Sequence, residues 1–217
     1  MSTARDVILG RIRAALPGES LTASASHESI ARPYRRQGRL DRHACIELFL
    51  DRLVDYDANV IEVAAEAEIS GAVDRVLCAA GEDLLLVPSA MPRAWCPRSV
   101  DMVVDLVASR DISEADRAQA VLTTCEVAIA STGTIVLVHA GAQGRRAVTL
   151  LPDHHICIVA RSQVVELVPE ALALLDARGT TPVTTISGPS ATSDIEMTRI
   201  RGVHGPRRLT VILYGPE

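Results

Sequence analysis

Aromatic side chains are nearly missing from this chain: one Trp, one Phe and three Tyr among 217 residues. Without aromatic platforms it is a poor candidate for stacking single-stranded nucleic acid. A net charge of −5 argues against a phosphate-backbone binder as well, although local arginine clusters occur. No apolar run reaches membrane-spanning length, and residues 1–16 carry scattered charges instead of a signal-peptide core. Paired cysteines are also missing. Cys45, Cys78, Cys96, Cys125 and Cys157 are far apart and odd in number, with no CxxC pair and no ferredoxin-like run. They read as small buried thiols in a reducing cytoplasm, so any iron–sulfur chemistry belongs to a partner. There is no Walker loop, complete GxGxxG fingerprint or GxSxG elbow. Gly141-Ala142-Gln143-Gly144 is too short a glycine loop to name a nucleotide.

What is present is aliphatic. With 48% hydrophobic residues, the chain can bury one sizeable α/β core made of Ala, Val, Leu and Ile. Residues 4–16 predict a short amphipathic helix and 21–39 a Ser-, Ala- and Arg-rich connection, so 1–40 form an N-terminal helix and flexible linker. The α/β domain occupies 41–217. Apolar spacing predicts a helix over 41–54, a strand over 59–63, a helix over 64–80 stopped by Gly81, and a strand over 84–87. A further strand falls within 100–107, then a short helix near 114–118 capped by Asp111 or Ser113. Residues 120–130 predict one strand, with 134–139 as its hairpin partner across Ser131-Thr132-Gly133. Strands at 156–160, 183–186 and 209–213 and a helix over 169–178 complete the pattern. Strands alternating with helices predict a single Rossmann-like domain; the hairpin makes its sheet mixed, mostly parallel and flanked by helices.

Residues 187–208 are different in kind. Hydroxyls, carboxylates, arginines, glycines and prolines crowd between two apolar strands, with too few apolar residues to pack. A polar, turn-rich loop held between buried strands is where α/β proteins place chemistry. Gly188-Pro189 and Gly205-Pro206 bracket it as turns, and Thr192 or Ser193 can cap a short helix through 194–197. The run Ser187-Gly-Pro-Ser-Ala-Thr-Ser-Asp-Ile-Glu followed by Arg201-Gly-Val-His-Gly-Pro-Arg-Arg-Leu resembles the C-terminal signature of the lactate utilization protein C family, built on the LUD domain. Thr132-Gly133-Thr134 and Leu150-Leu-Pro-Asp-His-His-Ile156 agree with it. The resemblance covers roughly the C-terminal half of the chain. It implies a fold similar to the ribose-5-phosphate isomerase, glucosamine-phosphate deaminase and CoA-transferase group. It also implies a part in oxidising L-lactate to pyruvate alongside two iron–sulfur proteins.

No cofactor-binding motif is evident in the chain itself, so the clusters are expected on those partners. The expected small-molecule partner is a carboxylate such as lactate or pyruvate. Asp194, Glu196 and His204 are the catalytic candidates. Thr132, Gly133, Thr134, Arg145, His154, Ser187, Gly188, Ser190, Thr192 and Arg207 are candidates for holding the substrate or its anionic group. Strand alternation lets only one of His154 and His155 face a cleft, and no third partner of proven spacing assigns them a metal. The family often carries Glu where this chain has Ser131, which argues against a covalent carboxylate mechanism. Two other readings use the same cleft: a stand-alone sugar-phosphate or acyl-CoA-type enzyme, and a regulatory protein that binds small anions.

Overall fold

The computed structural model describes residues 3–15, 29–106, 112–192, 200–201 and 205–216. The chain divides into two compact units, Met1–Arg35 and Arg36–Glu217. Within the first, α1 spans Ala4–Ala15 and buries none of its residues. Among the described residues no helix is long and apolar enough to cross a membrane.

The second unit is built on a parallel sheet. Its strands are β1 (Asn59–Val63), β2 (Leu84–Pro88), β3 (Asp101–Asp105), β4 (Ala120–Thr124), β7 (His154–Ala160) and β12 (Arg208–Tyr214), in the order β1-β12-β7-β4-β2-β3. Every neighbouring pair is parallel. Both faces are covered, which is why β2, β4 and β7 bury nearly every residue instead of alternating buried with exposed. One face packs on α3 (Ile69–Ala80), which buries Ile69, Ala72, Val73, Val76 and Leu77 against Leu85, Leu122, Ile156, Ile158 and Ile212. Gly81 closes α3 in the left-handed conformation at φ 66°. The other face packs on α2 (Arg42–Asp55), whose Cys45, Ile46, Phe49 and Leu53 form one helical stripe. The Asp41 carboxylate caps α2 by accepting from the Ala44 N–H at 2.8 Å.

The mixed character expected from the hairpin resides in a second, four-stranded sheet: β5 (Val127–Ile129), β6 (Thr134–Leu137), β8 (Val164–Val165) and β9 (Thr184–Ile186), ordered β8-β5-β6-β9. The strand expected over 120–130 is therefore two strands in different sheets. The chain turns at Cys125-Glu126. There Gln163 donates to the Cys125 carbonyl at 2.8 Å, and the Glu126 carboxylate accepts from Gln143 at 3.1 Å and pairs with Arg178. The remaining helices are α4 (Ser113–Arg117) and α5 (Val168–Leu175). Ser113 is the first residue of α4 and not its cap; the capping position is Ile112 and offers no side-chain bond, while Asp111 lies outside the described residues. A short ladder pairs β10 (Ala191–Thr192) antiparallel to β11 (Ile200–Arg201). Of the cysteines, Cys45, Cys96, Cys125 and Cys157 are buried as expected, but Cys78 is exposed on α3.

Candidate functional site

Two turns from distant parts of the sequence come together against the C-terminal end of α2. The first is Ala130–Thr132 with Gly133, joining β5 to β6; the second is Ser187-Gly188, leaving β9. Gly133 has φ 57° and sits so close to α2 that a Cβ there would lie 2.7 Å from Arg52 Cβ and 3.1 Å from the Arg52 carbonyl oxygen. Gly188 has φ 83°, and a Cβ there would lie 2.6 Å from Tyr56 Cβ. Both positions combine a left-handed backbone with no room for a side chain, which is what glycine alone supplies. Hydroxyls tie the turns together: Thr132 Oγ1 and Thr134 Oγ1 are 2.7 Å apart, and Thr134 Oγ1 and Ser187 Oγ are 2.8 Å apart.

Beyond Ser187 opens a cavity of ≈ 210 Å³ between the second sheet and the amino-terminal ends of β7 and β12. Its walls include Thr184, Ser187, Gly188 and Ser190 on one side and His155 and Leu209 on the other. The backbone holds the polar run closed, since Ser190 N–H donates to the Pro206 carbonyl at 2.8 Å. His155 is 1% exposed, and its Nε2 meets Thr123 Oγ1 at 2.7 Å. Burial, reinforced by His154, pushes the His155 imidazole down to about 3, so it is neutral at physiological pH.

Thr184, which lines the cavity, accepts from Arg146 Nη1 at 2.6 Å, and its Oγ1 also meets His139 Nε2 at 2.6 Å. His139 holds a non-glycine backbone at φ 49°, a sparsely populated conformation that clusters at functional sites. Burial lowers the His139 pKa, and the Arg146 charge adds to this against an opposing bond to the Gly144 carbonyl.

His154 points to the opposite face of the sheet. Its Nδ1 meets Glu82 Oε2 at 2.8 Å and its Nε2 meets Thr210 Oγ1 at 2.8 Å, all three side chains being buried. Arg208 pairs with the same Glu82, and Arg207 pairs with Asp153. Of these groups, His154, Thr210, Arg207 and Arg208 line a second cavity of ≈ 380 Å³ together with Asn59 and Arg75.

A protein-family model described as the LUD domain matches residues 95–214. A lactate utilization protein C from Deinococcus radiodurans is 45% identical over 84% of this chain and 85% of its own. Another from Geobacillus kaustophilus is 31% identical over 68% of this chain and 69% of its own. The crystal structure of a DUF162 family protein from Deinococcus radiodurans, 41% identical, superposes with TM-score 0.70 over 82% of this chain and 100% of that one.

The chain belongs to the lactate utilization protein C family and carries its LUD domain.

The LUD-domain match contains every candidate site residue, whereas α2, against which both glycine turns are seated, lies upstream of it. Within this LUD domain, Thr132, Gly133, Thr134, Ser187, Gly188 and Ser190 converge as one assembly. His154 and Arg207 line the other cavity. Arg145 points elsewhere again: its guanidinium takes Asp105, at the carboxyl end of β3, through contacts of 2.7, 2.9 and 3.1 Å. Thr192 ends β10 opposite Ile200. Asp194, Glu196 and His204, with the helix expected over 194–197, lie outside the described residues. His139 was not among the candidates read from the sequence, where Arg146 stands beside Arg145 as a pair able to bind a carboxylate. An isolated His139 at a strand end carries no pattern.

Proposed function

We propose that this chain acts in lactate utilization as a cytoplasmic subunit that binds a small carboxylate, lactate or pyruvate, and works with iron–sulfur proteins that carry the electrons. The observation that carries the reading is the 45% identity to a protein named lactate utilization protein C along 84% of the chain. The cavity supports the ligand class. At ≈ 210 Å³ it suits a small molecule, its wall carries serine and threonine hydroxyls, and the Arg146 guanidinium is bonded to one of them, Thr184. A guanidinium there favours a carboxylate. Arg145, neutralised by Asp105, is occupied in holding the sheet edge.

Oxidising L-lactate to pyruvate releases two electrons and two protons, so the reaction needs an acceptor. In this reading the partners' clusters take the electrons, and this chain positions the substrate and shapes its surroundings. Deleting the encoding gene tests the role. Growth on L-lactate should fail and return with the gene, while growth on another carbon source is unaffected. Unchanged growth on L-lactate would reject the reading.

A further inference from the structure

The two adjacent histidines of β7 differ in one respect that matters for a ligand. His154 has both ring nitrogens engaged, one by Glu82 and one by Thr210. His155 is equally buried, yet its single hydrogen bond among the described residues is Nε2 to Thr123. Its Nδ1 is left without a partner in a ring that lines the ≈ 210 Å³ cavity. No hydrogen bond among the described residues engages that nitrogen, and Arg161 Nε, not His155 Nδ1, is the fully buried side-chain atom without a partner, so Nδ1 is left to meet a ligand in the cavity.

Thr123 fixes which proton that atom carries. The Thr123 side chain is 0% exposed, and its only hydrogen bond among the described residues is the one to His155 Nε2. Its hydroxyl hydrogen therefore has one available acceptor, the Nε2 lone pair. If Nε2 carried the proton instead, the buried hydroxyl hydrogen would have nowhere to go. The ring proton is thus on Nδ1, and the atom presented to the cavity is a donor.

Resting on the carboxylate-binding reading, we infer that His155 is a ligand-positioning residue whose neutral Nδ1–H, locked by Thr123, donates to an oxygen of an α-keto or α-hydroxy acid in this cavity. As a fixed neutral donor it selects for an acceptor oxygen, while Arg146 supplies the charge that the carboxylate requires. No proton is removed from the ligand by His155 in this arrangement; Nδ1 already carries one. The role is orientation and polarisation of the ligand oxygen, and a neutral imidazole can perform it across the physiological pH range.

The test uses the full chain with pyruvate as probe, and L-lactate in parallel. In 15N-edited NMR of the unliganded protein, His155 should show the Nδ1–H tautomer, and pyruvate should shift that Nδ1 resonance. Calorimetry then compares two variants. His155→Asn places an amide nitrogen near the position of Nδ1, so affinity should stay within a few-fold. His155→Gln reproduces Nε2 and its contact with Thr123 but not the cavity donor, so affinity should fall tenfold or more. The wild-type tautomer is read without any substitution, so a variant that fails to fold does not decide the matter. An Nε2–H tautomer, or pyruvate binding that is equal in the wild type and His155→Gln, overturns the inference and leaves the lactate role untouched. Absence of binding of either acid to the wild-type chain overturns it too, and growth on L-lactate then decides separately whether the role itself survives.

Discussion

Thr134 Oγ1 lies 2.8 Å from Ser187 Oγ, although the two residues are 53 positions apart in the chain. This one bond links the hairpin turn of the second sheet to the start of the polar C-terminal run, and so brings two separate pieces of sequence signature into one wall. Its coupling is measurable by a double-mutant cycle of Thr134→Val and Ser187→Ala. A neutral hydroxyl bond of this kind contributes about 0.5–1.5 kcal/mol. An interaction energy indistinguishable from zero would mean the turns are held by glycine packing alone.

That packing gives its own prediction. Gly133→Ala and Gly188→Ala each place a side chain where φ is positive and an atom of α2 or Tyr56 is within 3 Å. Each should lower stability by about 1–3 kcal/mol, seen as a lower urea midpoint with an unchanged slope. Gly81→Ala is the control: its φ is 66°, but nothing lies within 4 Å of a Cβ there, so it should lose less. Equal losses at all three positions would remove close approach from the account.

The two neighbouring arginines separate by function. Arg145→Met strips the partner from an Asp105 carboxylate whose side chain is only 3% exposed. Leaving such a charge uncompensated costs about 3–5 kcal/mol for a fully buried pair, and the 23% exposure of the Arg145 side chain places the expected loss at the low end. Arg146→Met, exposed and bonded to Thr184 of the cavity wall, should instead weaken pyruvate binding with the melting temperature retained. A reversed pattern would make Arg145 the anion anchor.

Acid should unfold the protein partly through His155. Its folded pKa of about 3 lies below the ordinary 6.5 of the unfolded chain. Between those values the unfolded state binds the proton and the folded state does not, so stability is full above about pH 6.5 and falls as pH drops toward 3. The contribution is about 1.4 kcal/mol per pH unit within that window. His155→Gln should flatten this limb of the stability curve by that slope; an unchanged limb would show that His155 is not buried neutral.

Much of the fold was legible because the parallel strands are buried on both faces and the helices carry single apolar stripes. Residues 59–63 and Gly81 were placed from pattern alone. The break at Cys125-Glu126 was not, because an apolar run on both sides conceals that Glu126 turns toward Gln143 and Arg178. The glycine turns and hydroxyls of the candidate site were legible as motif. Their seat on α2 was not, since it depends on contacts between Gly133 and Arg52 and between Gly188 and Tyr56 that no local spacing encodes. The choice between His154 and His155 also waited for the sheet, because alternation says that they part company but not which face holds the cavity.

The most direct measurement is L-lactate oxidation with one artificial electron acceptor, using this chain alone, the iron–sulfur proteins alone and the mixture. Activity in the mixture only, lost when this chain is left out, is the predicted result. Full activity of this chain alone would contradict the account and place the redox chemistry within it; full activity of the iron–sulfur proteins alone would contradict it by removing any need for this subunit.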